Sequence, residues 1–291
     1  MEIRKNRMLE RTRFSYQMTI PTILFLLVMT AYPLLFTILY SFTDYNYLKD
    51  THPFVGLTNY IVLFQNMYFI QAVKNTVIFT LLAVVLEVVL GLLLAIYVKS
   101  LKKGQKIFRT LVLIPYLLPA VTVSLIWRMM LSPNYGIITK ILTACNLPVF
   151  NWFHDVRTAF GTILLIDVWQ NVPFAFLLIY ASLQSVPDSQ YEAASIDGAN
   201  TIQKFRYVTL PNISGVIALC AMLRTIDTFR LFEKVNILTG GGPANSTTTI
   251  TQFMYTYGIK TLKFGFASAN AIVMAVFVLI LSAIYIKKAM K

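Results

Sequence analysis

The sequence is short of charge, and shortest of acid. Only 13% of its 291 residues are charged, with 12 Asp or Glu against 25 Lys or Arg. A soluble domain carries about 25% charged residues, so this chain has too little polar surface to coat a water-soluble globule. With two cysteines there is no disulfide framework. Cys145 falls in a loop and Cys220 in an apolar run, and both read as small apolar fillers. The two histidines, His52 and His154, lie far apart in polar connections, outside any metal-ligand spacing. They read as surface residues, and no metal site is expected. The chain contains no G-x-x-x-x-G-K-[ST] phosphate loop, no H-E-x-x-H and no nucleophile elbow. It therefore has no route of that kind to ATP, and a membrane-embedded enzyme finds no support. Internal repeats and low-complexity segments are also missing.

What the chain has is apolar length. Residues are 57% hydrophobic, and six runs near 16–42, 73–98, 108–131, 159–184, 213–237 and 265–287 are long enough for a hydrocarbon core of about 30 Å. Lipid cannot satisfy backbone N–H and C=O groups, so these runs must be helices. The fold class predicted is an all-α membrane protein of six transmembrane helices. Residues 1–15 form a basic tail and residues 16–291 the spanning domain. A basic start before an apolar run resembles a signal peptide, but the run exceeds an h-region of about 7–15 residues and no small-residue cleavage site follows. It reads as a retained first span.

A net charge of +13 invites a nucleic-acid reading. The basic residues instead cluster beside the apolar runs, as membrane topology requires, and no nucleic-acid partner is expected. Arg4, Lys5, Arg7, Arg11 and Arg13 precede the first run; Lys99, Lys102, Lys103, Lys106 and Arg109 lie between the second and third. Lys204 and Arg206 follow the fourth, and Lys287, Lys288 and Lys291 close the chain. The alternate connections hold only Lys49, then Lys140 and Arg157, then Lys260 and Lys263. By the positive-inside rule both termini lie in the cytoplasm of a bacterial cell membrane. On the outer side, THPFVGLTNYIVLF predicts a short interfacial helix. LTGGGPANSTTTITQF ends the fifth helix through its glycines and proline. Its Asn245-Ser246-Thr247 sequon reads as a chance match.

The cytoplasmic segment YEAASIDGANTIQKFRYVTLP, within the connection 185–212, avoids lipid. Ser189 and Glu192 fit a capping box, which predicts a short helix through Ala193 and Ala194. Asp197-Gly198 predicts a turn, because glycine tolerates positive φ. A second short helix should carry Phe205 and Val208 on one face and end at Pro211. The small residues Ala193, Ala194, Gly198 and Ala199 permit another surface to approach, with Tyr191 and Phe205 as apolar anchors. From residue types alone, a plain connecting loop accounts for the segment equally well.

The pattern E-A-A at 192–194, D-G-A at 197–199 and V-x-L-P at 208–211 resembles the signature loop of permease subunits of binding-protein-dependent ABC importers. FVGLTNY, Asn75-Thr76, Arg109 with IPYLLP, Trp127 and LTGGGP extend the resemblance over most of the chain. They are similar to the carbohydrate-uptake branch, whose familiar members are the maltose-transporter permeases. This chain resembles a minimal six-span version without extra N-terminal spans or a large outer domain. The resemblance implies that Tyr191, Glu192, Ala193, Ala194, Asp197, Gly198, Ala199, Phe205, Leu210 and Pro211 form an EAA coupling helix pair that docks on a cytoplasmic ATPase. It implies four kinds of partner: a second homologous permease subunit, two ATPase subunits holding ATP and magnesium, an extracytoplasmic solute-binding protein, and an oligosaccharide substrate. No cofactor is expected in this chain itself.

Charges inside the spans carry the remaining information. Arg224, Asp227, Arg230 and Glu233 recur every three residues, a spacing that keeps neighbours close on a helix. A charge at mid-span costs about 2.5–3.5 kcal/mol on insertion scales, so this face must meet protein or water. It is either a self-neutralising ladder or the polar wall of a translocation path, and the two are compatible. Asp167, Gln170 and Asn171 near Pro173 favour the second, with Trp169 and Phe174 available to stack on sugar faces. Glu87, the other intramembrane charge, reads as a structural hydrogen-bonding group facing the bundle interior. The resemblance implies substrate contacts at Asp167, Gln170, Asn171, Phe174, Arg224, Asp227, Thr228 and Leu231. In the maltose-type site, uncharged residues stand where this chain has Arg224 and Asp167. Arginine recognises carboxylates in two-pronged fashion, so an acidic, uronic-acid-containing oligosaccharide is one expectation and a neutral oligosaccharide the other. A proton- or sodium-driven transporter using Glu87, Asp167 and Asp227 is the rival outside the family.

Overall fold

The computed structural model describes the backbone of residues 2–49 and 51–289, and side chains from residue 16 onward except 50, 286 and 288–291. The side chains of the basic tail, and those of Lys288 and Lys291, lie outside the described residues. Thirteen α-helices and two π turns account for nearly all of the order, and among the described residues only isolated β-bridges occur.

The chain divides into two units. The first comprises residues 1–63 and 256–273. It contains α1 (Glu2–Ser41), whose apolar stretch is almost wholly uncovered by the rest of the chain, as a lipid-facing span would be. The chain after α1 is tied back locally. Asn59 Nδ2 donates to the carbonyls of Ser41 and Thr43, each at 2.9 Å, and the Tyr60 hydroxyl donates to Ser41 Oγ at 2.7 Å. Helix α2 (Thr58–Gln65) is the short helix predicted in the first outer connection.

The second unit, residues 64–255 and 274–291, holds the apolar core. Its framework is α3 (Met67–Ser100) against α7 (Val156–Ser185). At 1.5 Å per residue they are about 50 and 45 Å long, enough to cross a bilayer and project beyond it. They approach closely at Gly91, where an added Cβ would fall 2.7 Å from that of Ala175. Helix α10 (Leu210–Phe229) packs on both.

Two predicted spans are not straight. The third is α4 (Gln105–Leu117) followed by α5 (Ala120–Met130), bent by 93°. Pro119 explains the break: its ring pushes the preceding residue out of the helical region, and Leu118 is extended at φ −83, ψ 136. Among the described residues, five helices are long and apolar enough to cross a membrane, and this bent pair makes a sixth if counted as one span. The fifth span ends at Phe229 rather than near 237. After a break at Arg230–Phe232 the chain continues as α11 (Glu233–Leu238). Helix α6 (Ile137–Ala144) lies in the connection between α5 and α7, where Cys145 is exposed and is thus no buried filler. Helix α12 (Ile250–Tyr255) precedes α13 (Phe264–Ala289).

Candidate functional site

Between α7 and α10 the chain forms α8 (Asp188–Ile196) and α9 (Thr201–Lys204). Helix α8 closes in a Schellman turn. Gly198 sits at φ +76, its N–H reaches Ser195 O at 3.1 Å, and Ala199 N–H reaches Ala194 O at 2.9 Å. This is the turn predicted at Asp197-Gly198. The expected capping box at Ser189 is absent, since Pro187 occupies the N-cap with no side-chain bond. The capping box belongs instead to α9, where Asn200 and Gln203 exchange bonds of 2.9 and 2.8 Å. Nor does Pro211 end the second helix. Residues Phe205–Thr209 form a π turn that leads straight into α10, with Pro211 in its first turn. The wider π turn, with the Leu210 N–H reaching Phe205 O, accommodates a residue that has no N–H to donate.

The helix pair is braced from behind and bare in front. The Tyr191 hydroxyl meets Thr209 Oγ1 at 3.0 Å, Lys99 Nζ lies 5.0 Å from the Tyr191 ring centre, and Lys204 Nζ donates to Ser195 Oγ at 2.8 Å. Phe205 and Thr209 join them around a cavity of about 400 Å³. On the free side Ile196 is 87% exposed, Ile202 77% and Tyr207 71%. Glu192, Ala193, Asp197 and Leu210 are exposed as well, while Ala194 and Ala199 are half-buried. Three large apolar side chains thus lie bare on a segment that also carries Glu192, Asp197 and Arg206.

The second candidate region is a belt of buried charge in the middle of α3 and α7 and the last third of α10. It separates two apolar clusters, one with Phe79, Ile163 and Leu231, the other with Ala95, Phe176 and Ile213. Glu87 of α3 is fully buried and Arg224 of α10 is 5% exposed. Their pairing is two-pronged: Arg224 Nε donates to Glu87 Oε2 at 2.7 Å and Nη2 to Oε1 at 3.1 Å. Arg224 also reaches Asp227 Oδ2 at 3.5 Å, Thr228 Oγ1 at 3.4 Å and Asp167 Oδ2 at 3.9 Å. Lys234 of α11, itself buried, donates to Asp167 Oδ1. Four charges from four helices thus sum to zero in the interior.

The predicted path residues are only partly gathered here. Asp167, Arg224, Asp227 and Thr228 meet, and Asn171 Nδ2 donates to Asp167 Oδ1 at 3.0 Å. Gln170 Nε2 turns to the carbonyl of Leu118 at 2.8 Å, satisfying a group freed at the α4–α5 break. Phe174 stands against Tyr116, ring centres 5.6 Å apart. Leu231 is a core residue whose carbonyl accepts from Thr249 at 3.0 Å. The three-residue ladder does not form. Arg230 is the C-cap of α10, Glu233 begins α11, both are exposed, and neither has an ion-pair partner among the described residues. Glu87 behaves as the expected buried hydrogen-bonding group. Its arginine partner was not foreseen, and Lys234 was missed. Lys234 stands in RLFEKVNIL, inside the predicted fifth span, and a lysine within a span was the available signal.

Two acceptor atoms in the belt have no donor: Asp167 Oδ2 and Gln170 Oε1, both buried and three residues apart on α7. Buried polar atoms are nearly always hydrogen-bonded; for Asp167 Oδ2 the Arg224 guanidinium, 3.9 Å away, supplies charge without a hydrogen bond.

Residues 87–286 match the family described as binding-protein-dependent transport system inner membrane component. The chain is 35% identical to a trehalose/maltose transport system permease protein of Thermococcus litoralis, over 94% of this chain and 93% of that one. It is 32% identical to an sn-glycerol-3-phosphate transport system permease protein of Yersinia enterocolitica, over 79% and 78%. The crystal structure of a bacterial ABC transporter involved in the import of the acidic polysaccharide alginate contains a chain that superposes with a TM-score of 0.86 over 98% of both, at 24% identity, a likeness of fold.

Proposed function

Because the chain belongs to the family of inner-membrane components of binding-protein-dependent transport systems, we propose that it is the sugar-conducting permease subunit of an ATP-driven importer. In this reading α8 and α9 face the cytoplasm and dock, through Ile196, Ile202 and Tyr207, on an ATPase subunit that holds ATP and magnesium. A second permease completes the pore, and a solute-binding protein delivers an oligosaccharide from outside. ATP-driven closure of the ATPases moves α8–α9, and the motion reaches the charge belt through α7 and α10, which flank the helix pair in the chain. The coupling is reciprocal, so whatever stabilises the open outer face also stabilises the closed ATPases.

The observation that carries the substrate reading is the neutral belt, in which Arg224 and Asp167 are already paired with Glu87 and Lys234. Arg224 offers little to an acidic substrate in this arrangement, since Glu87 already takes both prongs of its fork. A neutral oligosaccharide is therefore the leading reading, as for the relative named for trehalose and maltose. Arg230 favours the acidic alternative. It is exposed next to the belt without an ion-pair partner among the described residues, and a relative is named for a phosphate-bearing solute.

Uptake by the whole complex in proteoliposomes decides between them. Neutral gluco-oligosaccharides should be taken up, with Arg230→Gln within twofold of wild type. Uptake confined to uronate oligosaccharides and abolished by Arg230→Gln would establish the acidic reading. Uptake that survives without the ATPases but collapses with the ion gradient would overturn the importer reading.

A further inference from the structure

At the far end of α7 from the coupling helices lies a small polar pocket of about 170 Å³. Its walls come from the end of α5, the loop after it, the loop before α7 and the end of α11, contributed by Arg128, Ser132, Tyr135, Asn151, Trp152 and His154. Buried Leu131, Phe153 and Leu238 form an apolar base. The loop before α7 is held by Thr158 Oγ1, which donates to Asn151 O at 2.9 Å.

The lining is one-sided in chemistry. Arg128 supplies a guanidinium, and only its Nη1 is committed, donating to Ile237 O at 3.0 Å near the end of α11. Trp152 Nε1 is buried and has no acceptor. Ser132 and Tyr135 add hydroxyls and Asn151 an amide. No Asp or Glu lines the pocket. The nearest in sequence, Asp155, has its Oδ1 on the N–H of Arg157. The unpartnered indole N–H calls for an acceptor. With a cation beside it, that acceptor is best a carboxylate. The volume is below the roughly 300–1,000 Å³ of small-molecule sites. It suits one side chain and is too small for an oligosaccharide.

We propose that this pocket receives an Asp or Glu side chain of the solute-binding protein when that protein docks. The proposal rests on the importer reading, which sets this end of α7 on the outer side. Charge complementarity carries the choice of occupant: a pocket of donors with one guanidinium at its rim recruits an acidic side chain and orients its bearer. Arg128 is placed to relay docking, because the guanidinium that meets the incoming carboxylate also holds the end of α11, one turn beyond Lys234 and its bond to Asp167.

The test is ATPase stimulation of the complete reconstituted complex, titrated with sugar-loaded binding protein. Arg128→Gln should raise the half-saturating concentration about tenfold, and Trp152→Phe, which removes only the N–H and keeps the ring, about threefold. The maximal rate should return at saturation in both. Added salt should weaken wild type more than Arg128→Gln. A stimulated wild type from which both variants are indistinguishable overturns the pocket and leaves the importer reading intact. Free glucuronate that abolishes stimulation at micromolar concentration, through Arg128, makes the carboxylate a solute and overturns docking. A wild type that no binding protein stimulates overturns both readings.

Discussion

The coupling helices and the charge belt are built on opposite principles. Around α8 and α9, each hydrogen bond closes within a short stretch of chain, from Gly198 to Ser195 and from Asn200 to Gln203, and at most across 22 residues from Asn212 to Gln190. Most of the side chains face outward. In the belt, Glu87 and Arg224 are 137 residues apart in sequence and Asp167 and Lys234 are 67 apart, yet all four are buried. The first region is stable locally and offers a surface. The second exists only when four helices are assembled, and it turns that assembly into a condition that either holds or fails. Any rearrangement of these helices meets, at the belt, a joint whose alternatives are paired charges or charges stranded in a low-dielectric interior.

The sharpest way to break this contrast is to remove Glu87. Glu87→Ala leaves Arg224 buried without its two-pronged partner, a change that costs about 3–5 kcal/mol in buried pairs. The expected outcome is loss of assembled permease, measured by yield and thermal denaturation in detergent. Removing Arg224 as well should restore more than half of the loss, because no lone charge remains. If the double variant is as impaired as the sum of the single ones, the pair is not a unit.

The coupling helices should respond in the reverse manner. Gly198→Val forces a β-branched residue to φ +76, at about 1–2 kcal/mol. The new side chain meets no atom within 4 Å of its Cβ, so the membrane core should stay folded. Denaturation should shift by only a few degrees, while uptake falls about tenfold as α8 and α9 lose their relative angle. A variant that unfolds the whole chain would show that the helix pair is not autonomous.

This difference also explains what was legible in the sequence. Gly198, the small residues around it and the apolar runs are local signals, and a local rule reads them. The break at Pro119 was equally local, but the apolar run passes through it, and hydropathy hides a bend that satisfies its own backbone through Gln170. The capping box was placed one helix too early, because Ser189-x-x-Glu192 has the right letters while Pro187 already fixes the entry to α8. In the belt, composition indicated that charges must be shielded. It could not indicate by which partner, since Arg224 has Asp227 three residues on along its own helix yet pairs most closely with Glu87 on another. Nothing local to Lys234 points to its partner, because Asp167 lies 67 residues away in sequence and on another helix.

The smallest expected effect is the most specific to the ladder that the spacing predicted. Asp227 lies 3.5 Å from Arg224, but its side chain is 61% exposed, whereas Glu87 is fully buried. Solvent screens such a pair, and exposed ion pairs contribute about 0–1 kcal/mol. Asp227→Asn keeps the shape and a polar atom near the guanidinium, so the denaturation midpoint should move by no more than a degree or two. Its effect on transport separates the two roles that the ladder combined. If Asp227 only neutralises Arg224, the variant should match wild type in uptake as well. If the exposed carboxylate accepts a sugar hydroxyl in the path, the half-saturating substrate concentration should rise several-fold with no loss of stability. That result would place the substrate on the open side of the belt, at Asp227 and Arg230, and leave Glu87 and Lys234 to hold the wall behind it.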